Sequence, residues 1–221
     1  MPQATVHLLR HGEVHNPDGV LYGRLPEFHL SELGREMAQM LAEHFSERSA
    51  QGVKIVHLAA SPLTRAQETA QPISEALNLE ITTEGRIIEA ANYFEGLHVS
   101  KAELFRPRHW PMLRNPFRPS WGEPYKEQAA RVIAAVQDAR LRAIELGGDG
   151  AEAILVSHQL PIWATRLSAE GKPLWHDPRK RECTLTSVTS LVFDDDGALV
   201  RVDYSEPAAV LLPGASSTPG A

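Results

Sequence analysis

Three polar clusters in this sequence combine residue types that bind and transfer phosphoryl groups. They are Arg10-His11-Gly12, the stretch SPLTRA at 61–66, and Ser157-His158. Arginine guanidinium groups match the oxygens of a phosphoryl group, and a histidine nitrogen is able to attack phosphorus and hold the group covalently. The clusters therefore indicate an anion site with a histidine nucleophile. The alternative for each cluster is a structural role, such as a turn at Gly12 whose charged neighbours face water.

The spacing of the first histidines also raises the question of a metal site. His7, His11 and His15 are four residues apart, and on a helix they would line one face. The residues around His7 are typical of a strand, however, and Gly12 interrupts the local structure. We therefore expect these histidines not to converge, and we predict no bound metal.

The elements that must position the clusters follow from the hydrophobic pattern. Apolar, β-rich runs occupy 5–9, 53–59, 153–157, 187–193 and 198–204. Helical patterns begin after Ser31, a candidate N-cap, and at Ser61-Pro62, where the serine is a candidate N-cap and the proline takes the first helical position. A further helical pattern begins at Glu123-Pro124, and the last two helices are expected to end before Pro72 and at Gly147-Gly148. The alternation predicts an α/β fold with a mostly parallel sheet, finished by an antiparallel hairpin that turns at 194–197.

Each polar cluster directly follows one of the predicted strands. In an open α/β sheet the carboxyl ends of the strands line the ligand crevice. We therefore expect two histidines and two arginines to meet in one region of the molecule.

Composition limits the partners of the chain. The 221 residues carry 22 Lys and Arg against 28 Asp and Glu, so 22 − 28 gives a net charge of −6. An acidic chain has no general electrostatic attraction to nucleic acid or to an anionic membrane, and we expect neither partner. A single cysteine, Cys183, excludes an internal disulfide, and no long apolar segment is present, so we expect a cytoplasmic protein. The oligomeric state is not indicated.

Two segments depart from the strand–helix alternation. Residues 97–123 are rich in proline, tryptophan and arginine, and they include Arg106, Arg108, Arg114 and Arg118. We interpret this segment either as a surface loop that packs its own tryptophans or as a lid-like insertion whose arginines bind the rest of a substrate. The second segment, 207–221, is rich in Ala, Pro, Gly and Ser, so we predict one domain at 1–206 with a peripheral tail.

Taken together and in this order, the motifs resemble those of the histidine phosphatase superfamily, which includes the cofactor-dependent phosphoglycerate mutases. The resemblance rests on RHGE at 10–13, SPLTRAQETA at 61–70 and Ser157-His158, and it extends from Val6 to about Tyr204. It implies a three-layer α/β/α fold, phosphorylation of His11, and a phosphate pocket formed by Arg10, Arg65 and His158.

The resemblance also implies a glutamate that protonates the leaving oxygen. Glu89 is the match, because it follows the apolar pair at 87–88, and Glu84 and Glu95 are the competitors. Asn16 is the candidate for a further phosphate contact, although it stands six residues after the motif arginine where the family commonly has seven. Gln159 stands where glycine often follows the second histidine.

The function we predict is a phosphatase that hydrolyses small phosphomonoesters through phosphohistidine, without metal or cofactor. A phosphoglycerate mutase is the first alternative, and a non-catalytic phospho-ligand binder is the second. Family mutases carry Ser-x-Trp-Asn after the His-Gly-Glu motif, where this chain has VHN at 14–16. They carry an arginine directly after the acidic glutamate, where this chain has AA at 90–91. They carry Gly-Asn after the second histidine, where this chain has QL at 159–160. They also have a paired-arginine lid, whereas Pro107 separates Arg106 from Arg108 here.

Overall fold

The central element is one mixed β-sheet. The computed structural model describes residues 3–98, 100–115 and 121–215, and within them six strands join in the order β3-β2-β4-β1-β5-β6. The strands are β1 (Ala4–Arg10), β2 (Ile55–Ala60), β3 (Ile81–Thr83), β4 (Ala151–Ser157), β5 (Val188–Phe193) and β6 (Leu199–Ser205). β1 to β4 run parallel, whereas β5 lies antiparallel to both β1 and β6. The predicted fold class, with its C-terminal antiparallel hairpin, is confirmed.

Helices cover both faces of the sheet. They are α1 (Glu32–Ala50), α2 (Thr64–Leu77), α3 (Lys101–Leu104), α4 (Trp110–Leu113), α5 (Tyr125–Gly147) and α6 (Gln159–Ala169). Phe45 of α1 and Ile73 of α2 belong to one buried cluster, while Val132 of α5 and Ile162 of α6 belong to another. Among the described residues, no helix combines the length and apolar character needed to cross a membrane.

The central strands are buried on both faces, as expected of parallel strands between two helical layers. On β1, Leu8 joins the α5–α6 cluster and the adjacent Leu9 joins the α1–α2 cluster. In the parallel register, Arg10 lies opposite Ser157, and Ala60 lies opposite Val156. The carboxyl ends of β1, β2 and β4 therefore meet at one edge of the sheet, which brings the three polar clusters together.

The helix boundaries match the sequence pattern in part. Ser31 caps α1 through its side-chain oxygen, which accepts from the Gly34 N–H at 2.9 Å, and α5 ends at Gly147, as predicted. The predicted cap at Ser61 is wrong, because α2 begins at Thr64 and its cap residue is Leu63. The predicted end before Pro72 is also wrong, since α2 continues through this proline to Leu77.

The segment 97–123 contains short helices, so its high proline content does not exclude regular structure. The 3₁₀ turn Pro107–His109 lies between α3 and α4. Backbone bridging of Asn92 to Gly122 ties the end of the segment to the loop after β3. A Cβ at Gly122 would lie under 3.0 Å from the Ala91 carbonyl oxygen, so this close approach requires glycine. The His109 ring packs 5.2 Å from the Phe94 ring and forms a second attachment.

A short helical segment follows β6. A 3₁₀ helix spans Ala209–Gly214, and Ala208 before it is buried. The division into a domain at 1–206 and a peripheral tail stays a prediction.

Candidate active site

His11 lies immediately after β1, and its side chain is fully buried. Its Nδ1 is 2.8 Å from the Gly12 carbonyl oxygen, which only accepts, so Nδ1 carries the proton. Nε2 then presents its lone pair and accepts from Arg65 Nε at 3.3 Å. Burial lowers the pKa of His11 well below its usual value, and the charges of Arg65 and Arg10 lower it further. The site thus holds a neutral imidazole whose Nε2 faces a cation.

Arg65 occupies the first turn of α2 and is 1% exposed. Its Nη2 donates to the Gly23 carbonyl oxygen at 2.5 Å, and its guanidinium carbon lies 4.7 Å from the centre of the Tyr22 ring. Burial lowers the pKa of Arg65, but an arginine remains protonated in proteins. The loop that carries Tyr22 and Gly23 therefore packs on a buried positive charge, a contact that the sequence patterns did not indicate.

Arg10 and His158 both present buried nitrogens without a hydrogen-bond partner among the described residues. Arg10 Nη1 donates to the Cys183 carbonyl oxygen at 2.8 Å, while its Nε is unpartnered. His158 Nε2 lies 2.7 Å from Ser61 Oγ, while its Nδ1 is unpartnered. The His158 ring is 5.2 Å from the His11 ring, and burial lowers the pKa of His158 well below its usual value. Unpartnered buried nitrogens suit a ligand with several acceptor oxygens.

Glu89 is the buried carboxyl group of the site, with 2% exposure. Its Oε1 accepts from the Ala90 N–H at 2.7 Å, and its Oε2 is buried without a partner among the described residues. Burial raises the pKa of Glu89, although the Ala90 hydrogen bond and the charges of Arg65 and Arg181 partly oppose this. The group is therefore biased toward the protonated acid.

The two competing glutamates have other contacts. Glu84 forms an ion pair with Arg86 at 2.6 Å, and the hydrogen bonds from this arginine lower the pKa of Glu84. Glu95 Oε1 accepts from the backbone N–H groups of Arg24 and Asn92, both at 3.1 Å. Each carboxylate thus stabilises a local structure, whereas Glu89 Oε2 has no such contact.

The amide group of Asn16 closes a turn. Its Nδ2 donates to the Val20 carbonyl oxygen at 2.9 Å, and its Oδ1 accepts from the Val20 N–H at 3.2 Å. One N–H of the amide remains for another acceptor, so a phosphate contact by Asn16 stays a prediction.

The arginines of segment 97–123 lie on its surface where they are described. Arg106 and Arg108 pair with Glu103, and both side chains are more than half exposed. Arg114 is also exposed, and Arg118 lies outside the described residues. The described three do not line the cavity that begins at Ala90, directly after Glu89, so their contact with substrate stays a prediction.

That cavity, of about 350 Å³, brings in a residue that the sequence analysis did not select. Arg181 lines it, donating from Nε to His176 Nε2 at 2.9 Å and from Nη1 to Gln159 Oε1 at 3.3 Å. Its charge lowers the pKa of Glu89. The run of three cations at 179–181 is typical of a solvated loop, and no local signal distinguishes Arg181 from its neighbours.

The three regularly spaced histidines do not meet. His7 lies between Ser190 Oγ and Glu152 Oε2, each at 2.8 Å, whereas His11 faces Arg65 and His15 is exposed. Within 3–98, 100–115 and 121–215, no three His, Cys, Asp or Glu side chains are grouped to share a metal ion.

Comparison with known proteins gives matches over nearly the whole chain. The sequence model of the histidine phosphatase superfamily (branch 1) matches residues 6–204. Uncharacterized protein Rv0525 of Mycobacterium tuberculosis is 54% identical over 213 residues, which are 95% of this chain and 100% of the relative. Phosphoserine phosphatase 1 of Hydrogenobacter thermophilus is 32% identical over 173 residues, 76% of each chain. The native structure of mycobacterial glucosyl-3-phosphoglycerate phosphatase Rv2419c aligns with a TM-score of 0.72 and 26% identity, covering 91% of this chain and 98% of that one.

Proposed function

Because the chain belongs to the histidine phosphatase superfamily, we propose that it hydrolyses small phosphomonoesters through a phosphohistidine formed on His11, without a metal ion. One observation carries this proposal: a neutral buried imidazole and a buried carboxyl group of raised pKa share a site with two arginines. Both pKa shifts favour the protonation states that a nucleophile and a general acid require. The similarity to a phosphoserine phosphatase supports hydrolysis.

In the first proposed step, His11 Nε2 attacks phosphorus as the bond to the alcohol oxygen breaks. Glu89 gives its proton to that oxygen, and the neutral alcohol leaves. In the second step, the Glu89 carboxylate takes a proton from a water molecule whose oxygen attacks the phosphohistidine. Phosphate leaves, and both Glu89 and His11 regain their starting states.

Positive charge and hydrogen-bond donors stabilise the transferring group in this proposal. Arg65 exchanges its contacts with His11 and the Gly23 carbonyl oxygen for phosphoryl oxygens, and the unpartnered Nε of Arg10 donates to another. When the Ser61 hydroxyl donates to His158 Nε2, the proton of His158 lies on Nδ1, which then supplies a further donor.

Replacement of the nucleophile tests the proposal. We expect His11→Ala to abolish hydrolysis of p-nitrophenyl phosphate, while the matched control His15→Ala, at an exposed histidine, keeps wild-type activity. Rapid quenching of the wild type with labelled substrate should trap an acid-labile, base-stable phosphoenzyme that His11→Ala lacks. Retention of most activity by His11→Ala would refute the assignment.

A mutase is the second candidate, and one observation favours testing it. Ala90 and Ala91 stand where mutases place an arginine after the glutamate, but Arg181 supplies a guanidinium group to the same cavity. We propose hydrolysis because the other mutase residues are also replaced. Incubation with 3-phosphoglycerate and a trace of 2,3-bisphosphoglycerate should release phosphate faster than 2-phosphoglycerate forms. Faster isomerisation would establish the mutase, and phosphate binding without turnover on any ester would establish a non-catalytic binder.

A further inference from the structure

The cavity beside Glu89 has a mainly apolar wall. Ala90 and Ala91 line it directly after the glutamate, and larger apolar side chains form much of the remainder. These side chains are Leu21, Phe94, Leu104, Leu113, Trp121 and Leu160. The volume of about 350 Å³ is sufficient for a ring or a branched hydrocarbon chain.

The polar groups of the wall are mostly occupied by the protein itself. Both carboxylate oxygens of Glu123 accept from Arg131, and one of them also accepts from Arg24. Asn92 Oδ1 accepts from the Phe94 N–H at 3.0 Å. A polyhydroxylated ligand would therefore lose water from its hydroxyl groups without gaining partners over most of this wall.

Several polar atoms of the wall have no hydrogen-bond partner among the described residues, and the Tyr125 hydroxyl is one of them. Gln128 is 0% exposed, and its Oε1 is unpartnered while its Nε2 donates to the Glu123 carbonyl oxygen at 2.7 Å. Arg181 uses Nε and Nη1 but not Nη2 in its hydrogen bonds to His176 and Gln159. Polar substituents of a ligand are thus matched at the part of the wall formed by Tyr125, Gln128 and Arg181, whereas the larger apolar part, among the described residues, offers no side-chain partner.

Resting on the proposed phosphatase activity, we propose that this cavity binds the alcohol portion of the substrate and selects phosphomonoesters of mainly apolar alcohols. The position of the cavity supports this, because Ala90 directly follows Glu89, and Leu21 precedes Tyr22, whose ring centre lies 4.7 Å from the Arg65 guanidinium carbon. Aryl and branched alkyl phosphates fit such a wall, whereas sugar phosphates do not. A polar substituent is accepted where it faces Tyr125, Gln128 or Arg181.

A matched pair of esters tests the proposal in the full-length enzyme. Cyclohexylmethyl phosphate and glucose 6-phosphate both join a phosphate to a six-membered ring through one CH₂ group, and they differ in the ring oxygen and ring hydroxyls that only the sugar carries. We expect kcat/KM to be about 10²-fold higher for the cyclohexylmethyl ester, because unmatched polar groups are costly to bury. Leu113→Gln should reduce this preference, whereas Leu146→Gln, at a half-exposed leucine of α5, should not.

The outcomes separate the two levels of the argument. If p-nitrophenyl phosphate is hydrolysed but glucose 6-phosphate is used as well as its apolar counterpart, the cavity proposal is wrong and the phosphatase proposal stands. If no ester is hydrolysed, the phosphatase proposal fails, and calorimetry with cyclohexylmethylphosphonate tests the cavity by itself. This phosphonate should then bind more tightly than inorganic phosphate, and equal affinity would overturn the apolar assignment.

Discussion

At the scale of single residues, burial shifts the pKa values of the two proposed catalytic groups in opposite directions. Desolvation disfavours the charged form of each, so the pKa of His11 falls and the pKa of Glu89 rises. His11 is neutral at pH values above its pKa, and Glu89 is protonated at pH values below its pKa. Both shifts therefore enlarge the fraction of enzyme that holds a neutral His11 together with a protonated Glu89.

The leaving group should reveal which glutamate supplies the proton. We expect Glu89→Gln to lower kcat/KM for an alkyl phosphate by about 10²–10⁴-fold, since general-acid catalysis contributes about this much. For p-nitrophenyl phosphate the loss should be small, because nitrophenolate leaves without protonation. Steady-state kinetics on both esters provides the measurement. Glu95→Gln, which keeps an acceptor oxygen for Arg24 and Asn92, is the control, and a leaving-group dependence in that variant would reassign the acid.

Arg181 should influence the pH at which the acid is lost. Its positive charge lowers the pKa of Glu89, so its removal raises that pKa and keeps the acid protonated to higher pH. For Arg181→Leu we expect the alkaline limb of the pH profile of kcat/KM for an alkyl phosphate to move to higher pH. The control is Arg179→Leu, whose arginine is exposed and paired with Asp177. An unchanged limb in Arg181→Leu would show that Arg181 does not act on the ionisation of the acid.

At the scale of elements, a close backbone approach sets the position of the loop after β1. Gly34 lies in the first turn of α1, and a Cβ there would stand under 3.0 Å from the Glu13 carbonyl oxygen. Gly12 likewise has no room for a Cβ, which would meet the Gly34 carbonyl oxygen. The start of α1 is therefore pressed against the residues that follow His11.

Replacement of Gly34 should separate helix propensity from this steric constraint. Propensity alone predicts that alanine stabilises the helix by about 1 kcal/mol. The collision with Glu13 predicts the opposite sign, and we expect Gly34→Ala to lower the free energy of unfolding by about 1–3 kcal/mol. Urea denaturation provides the measurement. Gly85→Ala, where a Cβ meets nothing within 4 Å, is the control, and a stabilised Gly34→Ala would contradict the proposed constraint.

The sequence predicts elements whose signals are local and misses contacts made across the fold. The runs of apolar residues locate the central strands, and the Ser31 hydroxyl caps the helix that begins beside it. Ser61 has the same local signal, but its hydroxyl bonds to His158, 97 residues away. Arg181 enters the site for a similar reason, because the partners that orient it, His176 and Gln159, are brought together only by the fold.

At the scale of the whole molecule, the net charge of the chain and the charge of the arginines at the site have opposite signs. The chain carries a net charge of −6, yet Arg10, Arg65 and Arg181 act together on the buried site through the pKa of Glu89. The chain is therefore acidic overall but concentrates fixed positive charge at this site. Guanidinium groups stay protonated over the working pH range, so this charge does not depend on a dissociable ion.

This source of charge leads to a prediction about metal removal. After dialysis against saturating EDTA, with loss of divalent ions verified by mass spectrometry, we expect kcat/KM for p-nitrophenyl phosphate to be essentially unchanged. The physical reason is that, in the proposed mechanism, Arg10 and Arg65 supply the stabilisation that a metal ion provides in other phosphatases. A metal-dependent phosphatase treated in parallel checks that the chelator works. Loss of activity that an added divalent ion restores would contradict the metal-independent mechanism.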